Sequence, residues 1–153
     1  DLVLARLALQ GTENVLDLYS GVGLFTAFLA ERAASVTAVE GFPTAVDDAD
    51  SNLSDLSNVT LIEGLVEDVL PELDETFDAV VLDPPRGGVE TTALDALAAL
   101  TPAKIVYVSC DPATLARDAK RLLAKGYALQ DVQPLDMFPQ TYHIEAVATF
   151  VRA

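Results

Sequence analysis

The sequence predicts a doubly wound α/β domain, whose β-sheet is mostly parallel and carries an antiparallel hairpin at its C-terminal edge. Two observations predict this fold class. Short runs rich in Val and Ile alternate with helix-like stretches along most of the 153 residues, as they do in successive βαβ units. The last two apolar runs are separated only by residues 136–142. That segment is too short for a crossover helix, so we expect these two runs to pair antiparallel.

The strands are predicted from continuous apolar runs. Five of them are short and nearly unbroken in apolar character, which is typical of parallel strands that are buried on both faces. In chain order they are 15–19, 35–40, 59–63, 77–82 and 104–110, and the closing hairpin is predicted from 127–135 and 143–151.

Helices are predicted ahead of the first strand and between the later ones. Their ranges are 1–10, 23–33, 43–54, 65–73, 90–100 and 112–125. The last is the clearest, because Leu115, Ala119 and Leu122 recur at helical spacing and form an apolar stripe. Asp111 is a plausible N-cap, and Gly126 suits the position that follows the end of the helix.

Composition limits the possible classes of protein. Apolar residues make up 51% and charged residues 22% of the chain, which favours one globular domain over a disordered chain. No run approaches 18 consecutive apolar residues, so we do not expect a segment that spans a membrane. We expect the protein to be cytoplasmic. One cysteine, Cys110, and one histidine, His143, argue against a disulfide framework and against a metal site rich in these residues.

The net charge of −15, from nine basic and 24 acidic residues, would on average repel nucleic acid. A solubilising or salt-adapted surface is the simplest interpretation. Five cations nevertheless fall within residues 104–125 and could form a local basic patch. They are Lys104, Arg117, Lys120, Arg121 and Lys125.

A glycine-rich turn follows the first strand and indicates a nucleoside cofactor. Gly21 and Gly23 would let a ligand approach the backbone at a helix N-terminus, although Thr26 replaces the third glycine of a dinucleotide motif. Glu40 ends the second strand, where an acid can accept hydrogen bonds from both ribose hydroxyls. NAD and S-adenosyl-L-methionine both fit. Asp17, just before the turn, favours the second, because a carboxylate would attract a cationic amino-acid group and repel a pyrophosphate.

Two further candidates follow the fourth and fifth strands, where ligands bind in such sheets. Asp83 begins the run Asp-Pro-Pro-Arg and could orient a polar group of a substrate or cofactor. Arg86 could clamp Asp83 or a phosphate. Cys110 could be a nucleophile, although a buried free cysteine is more often inert packing.

Glu145, on the last strand, is the remaining candidate. It follows the loop 136–142, whose aromatic side chains could stack on a base. The alternative is an edge-strand acid that faces water.

Taken together, these segments resemble the RNA uracil-5 methyltransferases, which make 5-methyluridine. The matching segments are 16–23, 83–86, 106–118 and 136–145, in order through nearly the whole chain. The most specific are Ser-Cys-Asp-Pro-Ala-Thr-Leu-Ala-Arg-Asp at 109–118 and Asp-Met-Phe-Pro at 136–139. The resemblance implies a Rossmann-like methyltransferase sheet, S-adenosyl-L-methionine as the cofactor and RNA as the partner.

The resemblance also implies roles for individual residues. Cys110 matches the nucleophile and Glu145 the base, while Tyr19, Glu40 and Asp83 match positions that contact S-adenosyl-L-methionine. These residue types suit the chemistry, since a thiolate that adds to uracil C6 turns C5 into a carbon nucleophile. A base must then remove the C5 proton so that the thiolate can leave.

Some features depart from the family. Gln140 stands where the family usually has His, and Ser20 where it often has Cys. A cofactor-contacting glutamine, the RNA-binding parts and a cysteine motif for an iron–sulfur cluster are expected upstream and are absent from these residues. We therefore expect 1–153 to be a single catalytic domain within a longer protein. Alone, it should bind cofactor weakly and methylate RNA poorly.

Three other functions stay open at this point. The first is a methyltransferase that acts on a small molecule or an exocyclic amine, although such enzymes often have an aromatic residue at the position of Arg86. The second is a non-catalytic cofactor-binding module or RNA chaperone, and the third is an NAD-dependent oxidoreductase. Within the RNA uracil-5 interpretation the target is tRNA or rRNA, and the residues at 136–139 favour rRNA.

Overall fold

The computed structural model describes residues 1–137, 139–141 and 144–153, and the strands formed by these residues build one seven-stranded sheet. The strands are β1 (Asn14–Leu18), β2 (Ser35–Glu40), β3 (Val59–Glu63), β4 (Ala79–Leu82), β5 (Lys104–Ser109), β6 (Tyr127–Leu135) and β7 (Glu145–Arg152). Their spatial order is β3-β2-β1-β4-β5-β7-β6. The first five strands are parallel, and β7 runs antiparallel to both β5 and β6. The predicted fold class is confirmed.

The helices lie on both faces of this sheet. They are α1 (Leu2–Leu7), α2 (Leu24–Ala30), α3 (Pro43–Leu53), α4 (Val66–Val69), α5 (Thr91–Ala99) and α6 (Pro112–Ala124), and a 3₁₀ turn (Leu70–Glu72) extends α4. Apolar side chains of α1 and α2 pack on one face, and those of α5 and α6 pack on the other. Asp111 caps α6 as predicted, because its carboxylate accepts hydrogen bonds from the Ala113 and Thr114 N–H groups at 2.9 and 3.0 Å.

The predicted burial of all five parallel strands on both faces is wrong for β3. This strand lies at the edge of the sheet, and its residues are half-buried or exposed. The central strands β1, β2 and β4 are almost entirely buried. The second hairpin strand begins at Glu145, and the predicted start at His143 lies outside the described residues.

The five clustered cations do not all share one surface, because Lys104 lies apart from the others and three of the rest are paired with carboxylates. The Lys104 ammonium donates hydrogen bonds to two carbonyls at the C-terminal end of α1, at 3.0 and 2.9 Å, on the opposite face of the sheet from α6. Arg121 and Lys125 share the carboxylate of Asp95 at 3.3 and 3.0 Å. Arg117 forms an ion pair with the aspartate that follows it on α6. Sequence proximity therefore does not translate into one cationic surface here.

Neither a membrane-crossing helix nor a metal-binding cluster is found in the described part of the chain. No helix there is long and apolar enough to span a bilayer. Among the residues that the structure describes, no group of three or more His, Cys, Asp or Glu side chains is placed to hold a metal ion.

Candidate active site

The turn between β1 and α2 is held in a left-handed backbone conformation. Tyr19, Gly21 and Gly23 have φ angles of 61°, 56° and 87°. This region is uncommon for a residue with a Cβ atom, so Tyr19 carries local strain, and strain of this kind concentrates at functional sites. Gly23 also has a steric reason to be glycine. A Cβ atom there would lie 2.8 Å from Cδ1 of Leu53.

Glu40 ends β2 and fastens this turn. Its buried carboxylate accepts one hydrogen bond from the Gly21 N–H and another from the Phe42 N–H, both at 2.8 Å. The two bonds go to different carboxylate oxygens. Each oxygen keeps a second lone pair, so Glu40 can still accept hydrogen bonds from a ligand.

A cavity of about 440 Å³ opens beyond the carboxyl ends of β1 to β4. Its volume is within the range of small-molecule sites. The predicted site residues Tyr19, Glu40 and Asp83 all contribute to its wall. The other lining residues are Gly41, Phe42, Leu65, Val66, Glu67, Pro85, Gly87, Gly88 and Glu90.

Sequence reasoning missed two apolar residues in this wall. The side chains of Phe42 and Leu65 are 74% and 54% exposed although both are large and apolar. Each follows a parallel strand by two residues, at the sheet edge where ligands bind. This position, two residues after a parallel strand, was the sequence signal that could have identified them. Exposed apolar side chains at a pocket suit a flat, apolar ligand surface such as a nucleobase.

Asp17 lies behind the turn and does not line the cavity. Its side chain is fully buried on β1, and one carboxylate oxygen accepts a 2.6 Å hydrogen bond from the Thr26 hydroxyl. The other oxygen has no hydrogen-bond partner among the described residues. Burial raises the pKa of Asp17 to about 7, against the opposing effect of the Thr26 hydrogen bond, and the charges of Asp83 and Glu40 also raise it. Direct contact of Asp17 with a cofactor stays a prediction.

Asp83, Cys110 and Glu145 meet at one edge of the sheet. Asp83 follows the last residue of β4, and Cys110 follows the last residue of β5. Because β7 is antiparallel to β5, and Ser109 pairs with Ala146, Glu145 and Cys110 are the next residues on adjacent strands. The thiol-bearing residue is half-buried. The sequence-predicted catalytic residues are therefore brought together.

The surroundings of Asp83 raise the pKa of its carboxyl group. Asp83 stays exposed at the cavity mouth, yet the protein packed around its carboxyl group removes enough water to raise its pKa to about 6. The negative charge of Glu145 raises it further. Glu145 thus lies near enough to Asp83 for their charges to interact.

Arg86 forms an ion pair with the segment that follows β5. Its Nε atom lies 3.9 Å from the carboxylate of Asp111, the N-cap of α6, and a role on Asp83 or a phosphate stays a prediction. This ion pair connects the segment after β4 with the segment after β5. The predicted aromatic contribution of Phe138 and Tyr142 lies outside the described residues.

Comparison with known proteins decides the family. Residues 4–152 match the family model described as tRNA (uracil-5-)-methyltransferase. The chain belongs to this family. The resemblance inferred from the sequence motifs is thereby confirmed.

Among curated proteins, an uncharacterized RNA methyltransferase of Thermotoga maritima is 44% identical, and the match covers 99% of this chain and 35% of that protein. Another uncharacterized RNA methyltransferase, from Gloeobacter violaceus, is 43% identical, and the match covers 99% of this chain and 34% of that protein. This chain spans about a third of the length of these curated relatives.

Two solved structures are similar to this chain. The Pyrococcus abyssi tRNA (uracil-54, C5)-methyltransferase, in complex with S-adenosyl-L-homocysteine, is 36% identical with a TM-score of 0.84, covering 98% of this chain and 37% of that one. A precorrin-6y C5,15-methyltransferase from Geobacter metallireducens has a TM-score of 0.82 at 19% identity, over 99% of this chain and 86% of that one. The second likeness concerns the fold alone.

Proposed function

We propose that this protein transfers a methyl group from S-adenosyl-L-methionine to C5 of a uridine in RNA, through a covalent bond between Cys110 and uracil C6. One observation carries the proposal. The only cysteine of the chain follows β5 beside Glu145, at the same carboxyl edge of the sheet where Asp83 lines the ligand-sized cavity. Methylation of a nitrogen or oxygen atom needs no thiol, whereas methylation of uracil carbon does.

The cavity suits S-adenosyl-L-methionine. Glu40, already held by two backbone N–H groups, would accept hydrogen bonds from the ribose hydroxyls. The exposed side chains of Phe42 and Leu65 would flank the adenine base, and Tyr19 completes this part of the wall. The similar Pyrococcus abyssi enzyme was solved with S-adenosyl-L-homocysteine, the demethylated product of this cofactor. When bound, the cofactor supplies an electrophilic methyl group.

The protein residues divide the reaction into steps. The Cys110 thiolate adds to C6, and the electron pair of the C5–C6 double bond moves onto C5 and the C4 carbonyl. C5 thereby becomes nucleophilic enough to accept the methyl group. The Glu145 carboxylate then takes the C5 proton, the double bond re-forms, and the thiolate leaves. Asp83 would hydrogen-bond the uracil edge or the cofactor from the cavity mouth.

A mechanism-based probe tests this chemistry. In 5-fluorouridine RNA the position of the C5 proton is taken by fluorine, which a base cannot remove. The full-length protein, given S-adenosyl-L-methionine and such a stem-loop, should form a denaturation-resistant protein–RNA complex. Cys110→Ala should abolish the complex, while Ser109→Ala, one residue away, should retain it. A wild-type protein that binds the cofactor and RNA but forms no complex would refute the mechanism.

The RNA target is a transfer or ribosomal RNA. The residues at 136–139 favour ribosomal RNA, whereas the similar Pyrococcus abyssi enzyme acts on uracil-54 of tRNA. Deletion of the gene, followed by mass mapping of methylated uridines in both RNA fractions, should show one site lost. An unchanged pattern in both fractions would contradict a role as an RNA uridine methyltransferase.

A further inference from the structure

A buried aspartate on α6 holds the loop that forms one wall of the cavity. Asp118 is 1% exposed, although it lies in the middle of the helix. Its Oδ2 atom accepts hydrogen bonds from the Tyr107 hydroxyl at 2.7 Å and from the Val89 N–H at 2.9 Å. Its Oδ1 atom accepts one from Arg117 Nε at 2.8 Å. An unpaired charge this deeply buried would be costly, so the network must be satisfied for α6 to pack.

Arg117 extends the network onto the same loop. Besides its contact with Asp118, the guanidinium Nη2 donates a hydrogen bond to the carbonyl of Gly87 at 2.9 Å and another to that of Val89 at 3.3 Å. The Arg117 side chain itself is 57% exposed. One side chain therefore ties the α6 carboxylate to two carbonyls of the loop that follows β4.

The loop is built to fit against this pair. Gly88 has a φ of +78°, and a Cβ atom there would lie 2.5 Å from Arg117 Nη2 and 2.6 Å from Asp118 Oδ2. The Gly88 N–H also closes a turn onto the Pro85 carbonyl at 2.8 Å. The backbone thus lies directly on the ion pair, with no space for any side chain.

The same loop forms the cavity wall. Asp83, Pro85, Gly87, Gly88 and Glu90 all line the cavity. At its other end, α6 begins at Pro112, two residues after Cys110. One helix therefore fixes both the wall that faces the cofactor and the strand end that carries the nucleophile.

We propose that Arg117 and Asp118 are positioning residues, which hold the loop 83–90 in the conformation that binds S-adenosyl-L-methionine. This inference rests on the proposed function, since it assigns a ligand to the cavity. Neither side chain lines the cavity, so their effect is exerted through the loop backbone.

Cofactor affinity and stability, measured separately in the full-length protein, test this proposal. Arg117→Lys keeps a charge near Asp118 but loses the planar donor set that reaches Gly87. Gly88→Ala perturbs the contact from the loop side. We expect both variants to bind S-adenosyl-L-methionine at least fivefold more weakly by calorimetry. The matched control is Arg121→Lys, on the same helix, whose partner is Asp95 on α5 rather than a loop carbonyl; its affinity should stay within twofold of wild type.

The measurement distinguishes positioning from simple stabilisation. Binding is measured at a temperature where circular dichroism shows each variant to be fully folded, and thermal midpoints are recorded alongside. A lowered midpoint with an unchanged dissociation constant in Arg117→Lys would overturn the inference, and so would wild-type affinity in Gly88→Ala. If the wild-type protein itself binds no S-adenosyl-L-methionine, the proposed function fails, and the inference fails with it.

Discussion

The buried carboxyl group of Asp17 should make the stability of this protein depend on pH in an unusual direction. Its pKa is raised in the folded protein from an ordinary value of 3.8 to about 7. Because the folded state binds this proton more tightly than the unfolded state does, the stabilising effect of protonation is complete below about pH 4. It is lost as the pH rises towards 7. Most paired carboxylates behave in the opposite way.

The magnitude follows from the two pKa values. At about 1.4 kcal/mol per pH unit, ionising Asp17 costs about 4 kcal/mol of folding free energy at pH 8 and about 2 kcal/mol at pH 5. In Asp17→Asn this dependence disappears, while the amide keeps an acceptor for Thr26. The free energy of unfolding of Asp17→Asn relative to wild type should therefore rise by about 2–3 kcal/mol from pH 5 to pH 8. Any fixed cost of burying the amide cancels in that difference.

Urea unfolding followed by circular dichroism at pH 5, 6, 7 and 8 measures this difference. Asp48→Asn is the matched control, since Asp48 is exposed on α3. Its free energy of unfolding should depend on pH in the same way as that of wild type. The difference in the free energy of unfolding between Asp17→Asn and wild type could change by less than about 1 kcal/mol over this pH range. That result would refute the account of Asp17 as a desolvated carboxyl group with one hydrogen-bonded oxygen.

Three further outcomes are expected. Glu145→Gln should allow the covalent step but not removal of the C5 proton, so a methylated protein–RNA adduct should accumulate with ordinary uridine RNA on denaturing gels; normal turnover would contradict the base role. Gly23→Ala should lower the free energy of unfolding by about 1–3 kcal/mol, because the new methyl group meets Leu53 in a left-handed turn, and an unchanged urea midpoint would exclude that clash. Residues 1–153 alone, with a charge of −15, should bind S-adenosyl-L-methionine weakly and methylate a uridine stem-loop poorly; robust turnover by this segment would overturn the expectation.

The sequence was informative wherever one local pattern determines the structure. The run 35–40 is a strand with the predicted bounds, and Asp111 caps α6, because apolar continuity and capping are properties of neighbouring residues. The exposure of β3 was not predictable in this way. Its apolar run resembles those of central strands, and only the order of strands in space places it at an edge.

The same distinction applies to the site. The place of Glu40, Asp83 and Cys110 at one edge of the sheet could be predicted because the carboxyl ends of parallel strands meet there. Phe42 was missed because its place in the cavity wall depends on loop conformation. The burial of Asp118 was missed too, since a polar residue within an amphipathic helix ordinarily faces water.

The antiparallel hairpin explains how the thiol and the carboxylate come to share one edge. In an all-parallel sheet, only residues that follow a strand reach the carboxyl edge, and the first residue of every strand lies at the opposite end. Here β7 enters between β5 and β6 in the reverse direction, so its first residue, Glu145, lies beside the end of β5. A rigid strand, rather than a loop alone, therefore carries the proposed base to the nucleophile. Since removal of the C5 proton requires a base fixed relative to the Cys110–C6 bond, the reversed strand is the topological feature on which the proposed chemistry depends.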